Sequence, residues 1–410
     1  MSVRLYLITT AYPFGAGESF LEEEIRCFAA DPYFDVTVVP LLASGVARKL
    51  PANISVDDSV ARELERKRQY RWLYGIGALV RIRPTEEFSW HVGKMKMLFS
   101  ALASYGLYRS VFARWLRKKP AEEKTVVYTY WHTEATYALG MLLRTHGNYR
   151  VVSRIHGYDL YESRRPYGCM PLKRRFIGML QRLYTISESA ARYVADVYEF
   201  DSRIVRVARL GVRDRKIAAR ISPPKSLHIV SCSFLVAVKR VEIVVQSLAL
   251  LARRFPELSV VWHHIGDGPL RENIETYAGE RLGGLPNVKY CFEGQMDNAA
   301  VYAFYRDRPV DVLVNVSASE GVPVTMMEAM SCHIPVLATD VGAVSEIVKD
   351  GRNGRLLSAV SPADEVASKL AEISFWKAES TRNAAYRTFA KDYDARKNYS
   401  EFLESLKGIA

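Results

Sequence analysis

Two glutamates eight residues apart, Glu320 and Glu328, stand in the stretch D-V-L-V-N-V-S-A-S-E-G-V-P-V-T-M-M-E-A-M-S-C-H-I-P-V-L-A-T that runs from Asp311 to Thr339. Residues 312–316 form a short apolar run of strand type, and 317–322 read as a turn-rich loop. Pro323 suits the first turn of a helix, where its missing N–H costs nothing, and Thr325 to Met330 continue that helix. A buried strand follows from Pro335 to Ala338. This strand–loop–helix–strand unit of a parallel α/β sheet predicts that both carboxylates face the carboxyl end of a strand, where open α/β sheets bind ligands. The N–H groups of Val324 and Thr325, at the helix start, are free to point at an anion. A phosphorylated polyol suits the whole unit: the amides take the phosphate and the glutamates take hydroxyl pairs. Singly, Glu320 reads equally well as a solvated loop residue and Glu328 as a surface helix residue; the spacing within one unit is what singles them out.

The glutamate pair, followed by A-M-S-C-H-I-P-V-L-A-T-D-V-G-A-V-S-E-I-V-K-D-G-R-N-G-R-L-L, resembles the donor-binding motif of family 4 retaining glycosyltransferases. The resemblance covers roughly residues 225–360 and is traceable, more faintly, over most of the rest. It implies an α/β chain of the GT-B class, two Rossmann-like domains with parallel sheets facing across a cleft. It also implies a retaining, metal-independent hexosyltransferase with a UDP- or GDP-sugar as donor and no cofactor. In that reading Glu328 holds the ribose hydroxyls, and Glu320 holds the sugar hydroxyls near the anomeric carbon. Gly321, Val322, Val324 and Thr325 line the donor site. Lys239, in S-F-L-V-A-V-K-R, matches a lysine that grips the diphosphate. The arginine expected five residues earlier falls on Phe234, and Arg240 is the nearest cation able to fill in. Gly294 and Gln295, in E-G-Q-M, match a turn that packs on the nucleobase. His156, in R-I-H-G-Y-D, matches a histidine that contacts the donor hexose near the reacting carbon. Gly15, Ala16 and Gly17 match a loop near the donor phosphate and the acceptor.

The elements that must position these groups are legible too. Val3 to Thr10 reads as a first parallel strand, leading into Y-P-F-G-A-G-E-S and a helix with Phe20, Leu21, Ile25 and Phe28 near one face. The fragment G-A-G-E-S-F lacks the third glycine of a dinucleotide fingerprint, and no acid ends the next strand, residues 36–39, so a nicotinamide dinucleotide is not expected. Residues 61–120 read as mostly helical. Strands are expected at 125–129, 151–155 and 183–186, with Ser187 as a helix cap, and then at 227–232, 259–265 and 288–292. Adjacent His263 and His264 point to opposite faces of their strand and do not share a metal. I-S-P-P-K at 221–225 is the best linker. The expected domains are therefore 1–215, joined by a crossover helix from 385–410, and 222–384. Asp392 and Asp394 form a D-x-D, but in a terminal tail away from any strand end.

Composition bounds the rest. With 410 residues, 49% hydrophobic and 25% charged, the chain is of ordinary globular type with two to three domains. No apolar run reaches the length of a membrane span, the N-terminus reads as a strand rather than a signal peptide, and five scattered cysteines suit a reduced, cytoplasmic setting. The net charge is +12, and residues 61–120 alone carry +10. There Arg62, Arg66, Lys67, Arg68 and Arg71 lie among Tyr70, Trp72 and Tyr74, and Arg114, Arg117, Lys118 and Lys119 lie beside Trp115. The pattern suits an anionic membrane surface, with no nucleic acid partner, at the inner face of the cell membrane. A lipid-linked or saccharide acceptor in bacterial surface polysaccharide assembly follows from the resemblance. The competing readings are a sugar-nucleotide epimerase of the same fold and a non-catalytic membrane-associated assembly protein.

Overall fold

The structure, a computed structural model, describes residues 2–15, 17–18, 20–81, 91–119 and 124–410. Alternating short β-branched runs and amphipathic helices give two parallel sheets. The first holds β1 (Val3–Thr9), β2 (Phe34–Pro40), β3 (Ser55–Val56), β4 (Thr125–Thr129), β5 (Tyr149–Ile155), β6 (Arg182–Thr185) and β7 (Val205–Val207), in the order β3-β2-β1-β4-β5-β6-β7. The second holds β8 (Ser226–Cys232), β9 (Ser259–Ile265), β10 (Val288–Gly294), β11 (Val312–Asn315), β12 (Val336–Thr339) and β13 (Gly354–Leu357), in the order β10-β9-β8-β11-β12-β13. Central strands such as β4 and β11 are buried along their whole length, as parallel strands covered on both faces must be.

Helix α1 (Leu21–Ala30) buries Leu21, Ile25 and Phe28 on the first sheet. Next come α2 (Ser59–Lys67), α3 (Arg71–Arg81), the long α4 (Val92–Leu116), α5 (Glu134–Leu143) and α6 (Glu188–Tyr198). The Ser187 side chain caps α6 by accepting the Ala190 N–H at 3.1 Å. In the second sheet's unit, α7 (Val241–Arg254) packs Val244, Val245 and Leu248 against the strands. The helices α8 (Arg271–Leu282), α9 (Asn298–Asp307), α10 (Val324–Ser331) and α11 (Glu379–Asp392) belong to the same unit, while α12 (Ala395–Lys407) carries Phe402, Leu403 and Leu406 into the core of the first sheet.

The chain divides into one unit of residues 1–208 with 399–410, and a second of 209–398. The proline pair of the expected linker sits inside the second unit. There the Ser222 N–H and hydroxyl both donate to the buried Asp311 carboxylate, at 3.0 and 2.5 Å. The anchor holds the prolines in irregular backbone just ahead of β8. Asp394 of the D-x-D caps the last helix, accepting the N–H groups of Arg396 and Lys397 at 2.9 and 3.2 Å. That is a structural use of the carboxylate, not a ligand site.

Candidate active site

In the second unit the loops at the carboxyl ends of β8, β9, β10 and β11 are stitched together by backbone hydrogen bonds. Leu235 N–H donates to the Asp267 carbonyl at 2.9 Å, Gly266 N–H to the Gly294 carbonyl at 2.8 Å, and Ala318 N–H to the Val238 carbonyl at 2.8 Å. The approach is close enough to require glycine. A Cβ on Gly266, whose φ is +140°, would lie 1.9 Å from the Ser233 carbonyl oxygen.

This mesh holds Lys239 and Glu320 in contact. The Lys239 Nζ donates to Glu320 Oε1 at 2.6 Å, and Asn315, the last residue of β11, donates to the same oxygen at 3.0 Å. Both Lys239 and Glu320 are largely buried, so the pair is poorly screened by solvent. Glu328, one helical segment later, is buried and accepts from Asn298 of α9. Burial pushes its carboxyl up to about 7, against the opposing hydrogen bond from Asn298 and the positive charge of Arg215. The Cys232 thiol at the end of β8 is pushed up to about 12, so it stays protonated at neutral pH. Burial raises it first, the Glu328 charge raises it further, and Lys239 lowers it.

Val324 and Thr325 are the first two residues of α10, so their N–H groups have no acceptor within the helix. Pro323 is the capping residue in extended backbone rather than the first helical residue, and it leaves the helix N-terminus without a side-chain cap. Gly321 lies in the loop and accepts from the Ala343 N–H at 3.2 Å, with Val322 buried beside it. Gly294 closes β10 at a φ of +75°, and Gln295 follows it, exposed.

Arg240 does not supply the missing cation. Its guanidinium donates to the carbonyls of Val316, Ser317, Ala359 and Val360 at 2.7 to 3.1 Å, so it serves as a brace for two loops. Phe234 is exposed. Asn298 and Asn315 are site residues that the motif spacing does not single out. Asn315 had one signal, a lone polar residue ending the apolar run V-L-V-N-V. Asn298 had none, because it reaches Glu328 only through the fold.

In the first unit His156 follows β5 and is buried between two aromatic rings, Tyr130 at 4.7 Å and Trp131 at 4.5 Å between centroids. Among the described residues neither of its ring nitrogens has a hydrogen-bond partner. Burial, then the charge of Arg154, holds the imidazole well below its ordinary pKa, so it is neutral at pH 7. Its backbone is fixed by Asp159, whose carboxylate accepts the N–H of His156 and the N–H of His132, both at 2.6 Å. Glu18 orders the neighbouring loop. It takes the N–H groups of Thr10, Ala11 and Tyr12 at 2.7 to 3.1 Å and the Trp131 indole N–H at 2.6 Å. Of the glycine loop, Gly15 has a φ of +68°, Gly17 accepts from Arg48 at 2.9 Å, and Ala16 lies outside the described residues.

The basic segment differs from its expected form. Arg62 pairs with Asp58, Arg66 and Lys67 with Glu63, Arg68 with Glu65, Arg114 with Glu63, and Lys119 with Asp57. Trp115 is buried, donating its indole N–H to Asp57 at 2.8 Å, and Tyr74 packs against the core. Tyr70 and Trp72 are exposed.

Residues 226–374 match the family described as glycosyl transferases group 1. Among curated relatives, the putative colanic acid biosynthesis glycosyltransferase WcaL of Salmonella typhimurium is 29% identical over 182 residues, covering 42% of this chain and 42% of that protein. The chain spans less than half the length of the curated relatives it matches, from 27% to 48% of the first three. Among solved structures, the lipopolysaccharide outer core galactosyltransferase WaaB superposes with a TM-score of 0.68 at 17% identity, over 98% of this chain and 99% of that one. HepE of Anabaena in complex with UDP superposes with a TM-score of 0.63 at 16% identity, over 99% and 100%. The chain thus has the α/β fold of the GT-B glycosyltransferases, and its second unit carries a group 1 glycosyltransferase segment.

Proposed function

We propose that the chain is a retaining hexosyltransferase that takes a hexose from a UDP- or GDP-sugar. The acceptor is lipid-linked and belongs to bacterial surface polysaccharide assembly. The observation that carries this reading is the contact of Lys239 with Glu320 beside the open N-terminus of α10, with Glu328 on the same helix. The bound UDP of HepE and the colanic acid role named for WcaL support the donor and the setting.

In the donor-free protein Lys239 compensates Glu320. An arriving diphosphate competes for the ammonium, and the α10 amides take a share of its charge. Glu320 is then released toward the sugar hydroxyls near the anomeric carbon, while Glu328 accepts the ribose hydroxyls. As the bond to the diphosphate breaks, charge develops on the leaving group, and Lys239 and the amides stabilise it in place. His156 of the first unit is neutral, and among the described residues neither ring nitrogen has a hydrogen-bond partner, which suits it to hydrogen-bond a sugar hydroxyl. With no second carboxylate assigned to a double displacement, the acceptor attacks from the face the diphosphate leaves.

Because the chain's own cation and amides meet the donor's charge, transfer should persist in excess EDTA. Loss on chelation, restored by manganese, contradicts this part of the reading. A second reading, a non-catalytic donor-binding protein at the membrane, is favoured by exposed Phe234 together with the diversion of Arg240 to loop carbonyls. Slow hydrolysis of a sugar nucleotide that disappears in Glu320→Gln separates the two in favour of catalysis. Release of free epimerised sugar instead points to an epimerase. The enzyme reading places the chain in the cytoplasm, peripheral at an anionic inner membrane face. Among the described residues no helix is long and apolar enough to cross a membrane.

A further inference from the structure

We propose that the helix pair α3–α4 is a membrane-docking element that seats an apolar face, rather than a charge cluster alone, in an anionic leaflet. On α3, Trp72, Ile76 and Leu79 recur at helical spacing and are exposed, Trp72 by 53% and Ile76 by 50%. On α4, Val92, Met95 and Phe99 do the same over its first two turns, with Val92 66% exposed. Farther along α4 the apolar residues are core: Leu102, Leu107, Val111 and Phe112 pack under the sheet. One end of the helix is therefore anchored and the other presents bare hydrocarbon.

The two exposed rows adjoin. A Cβ on Gly75 of α3 would lie 3.0 Å from the Phe99 ring, and one on Gly106 of α4 would lie 2.5 Å from the Tyr74 carbonyl oxygen. Glycine at these two crossings lets the helices touch, and Arg71 adds a bond of 2.8 Å to the Ser100 carbonyl. Folded proteins rarely leave a contiguous apolar surface of this kind without a partner.

Charge selects the partner. Residues 66–119 carry thirteen Lys and Arg against two acids, Glu86 and Glu87, and Lys94 and Lys96 flank the apolar row of α4. Two copies meeting at this face would bring like charges together, which opposes self-association. An anionic leaflet meets both the cations and the hydrocarbon, with Trp72 at the depth where aromatic rings settle. The cations of α2 are satisfied by the chain's own acids, so burial of the apolar rows carries more of the attraction than net charge suggests. This deepens the membrane reading of the proposed function and rests on it only for the acceptor.

Flotation of the full chain with phosphatidylcholine vesicles, with and without phosphatidylglycerol, tests it without any transfer assay. Binding to the anionic vesicles should weaken but persist at 1 M salt, where the Debye length is only about 3 Å. Ile76→Asp and Met95→Asp should each lower partitioning about tenfold or more, the equivalent of one large buried apolar side chain, while Arg66→Ser changes it about twofold or less. Trp72 emission should shift to the blue on binding and stay unshifted in Ile76→Asp. Unchanged thermal melting of the variants shows that they fold. The proposal is overturned if the wild type never floats, if both Asp variants float like the wild type, or if sedimentation shows a dimer that the Asp variants dissolve. Flotation without transfer to any lipid-linked acceptor leaves this inference standing and removes the acceptor assignment alone.

Discussion

Lys239→Ala should lower kcat for glycosyl transfer about 100- to 1000-fold, the loss seen when one preorganised group facing developing charge is removed. The variant loses the cation proposed for the leaving diphosphate, and it also leaves Glu320 without its partner at 2.6 Å. The carboxylate, still held by Asn315, then faces the incoming phosphates without the ammonium's charge. Affinity for a nucleoside diphosphate should fall strongly, while affinity for the free nucleoside stays nearly unchanged. Glu320→Gln behaves oppositely in binding. It frees Lys239, so diphosphate affinity is kept or improved while transfer collapses. The double variant should recover part of the binding lost in Lys239→Ala, because the two residues are coupled. Calorimetry on the two single variants and the double variant reads all of this. Equal losses for nucleoside and nucleoside diphosphate in Lys239→Ala would show that the lysine is not at the phosphates.

Glu328→Ala should weaken donor binding about 10- to 100-fold, since hydrogen bonds to a charged acceptor are worth about 1.5–3 kcal/mol. The same residue gives a pH signature. Its carboxyl sits at about 7 in the donor-free protein, above the ordinary value of 4.5, because burial disfavours the charge. In the proposed donor site the ribose hydroxyls donate to the ionised form, so donor binding there requires losing that proton. Affinity should therefore fall as pH drops below about 7, approaching about tenfold per unit, and level off above it. Glu328→Gln keeps the shape, removes the titration, and should flatten the profile at low affinity. A wild-type profile flat from acid to neutral pH would contradict the assignment.

What the sequence could and could not reveal follows from how each feature is encoded. Residues 125–129 and 259–265 read as strands because β-branched and aromatic residues fill a short run between breakers, and both appear with those bounds. Ser187 was legible as a cap because the capping oxygen and the amide it serves are three residues apart. The two residues of β3 carry no periodicity, and β13 hides behind the turn signal of D-G-R-N-G. At the site, the side chains that arrive within one unit, Glu320 and Glu328, were visible. Asn298, the partner of Glu328, and the carbonyls that engage Arg240 were not, because each pair lies dozens of residues apart in the chain. The basic segment misled for the same reason. Asp57, Asp58, Glu63 and Glu65 fold back onto its arginines and lysines, and Trp115 turns inward to Asp57. The exposed apolar rows of α3 and α4 were masked by the charges between them.

The central claim is that the second unit binds a nucleoside-diphosphate sugar through Lys239, the α10 amides and Glu328. Titration calorimetry of UDP, GDP and their hexose conjugates into the purified chain tests it most directly. One nucleotide series should bind at a single site in metal-free buffer, with affinity reduced about tenfold or more in Glu328→Ala. No binding by any of these ligands to the folded wild type, or binding that Lys239→Ala and Glu328→Ala leave untouched, would contradict it.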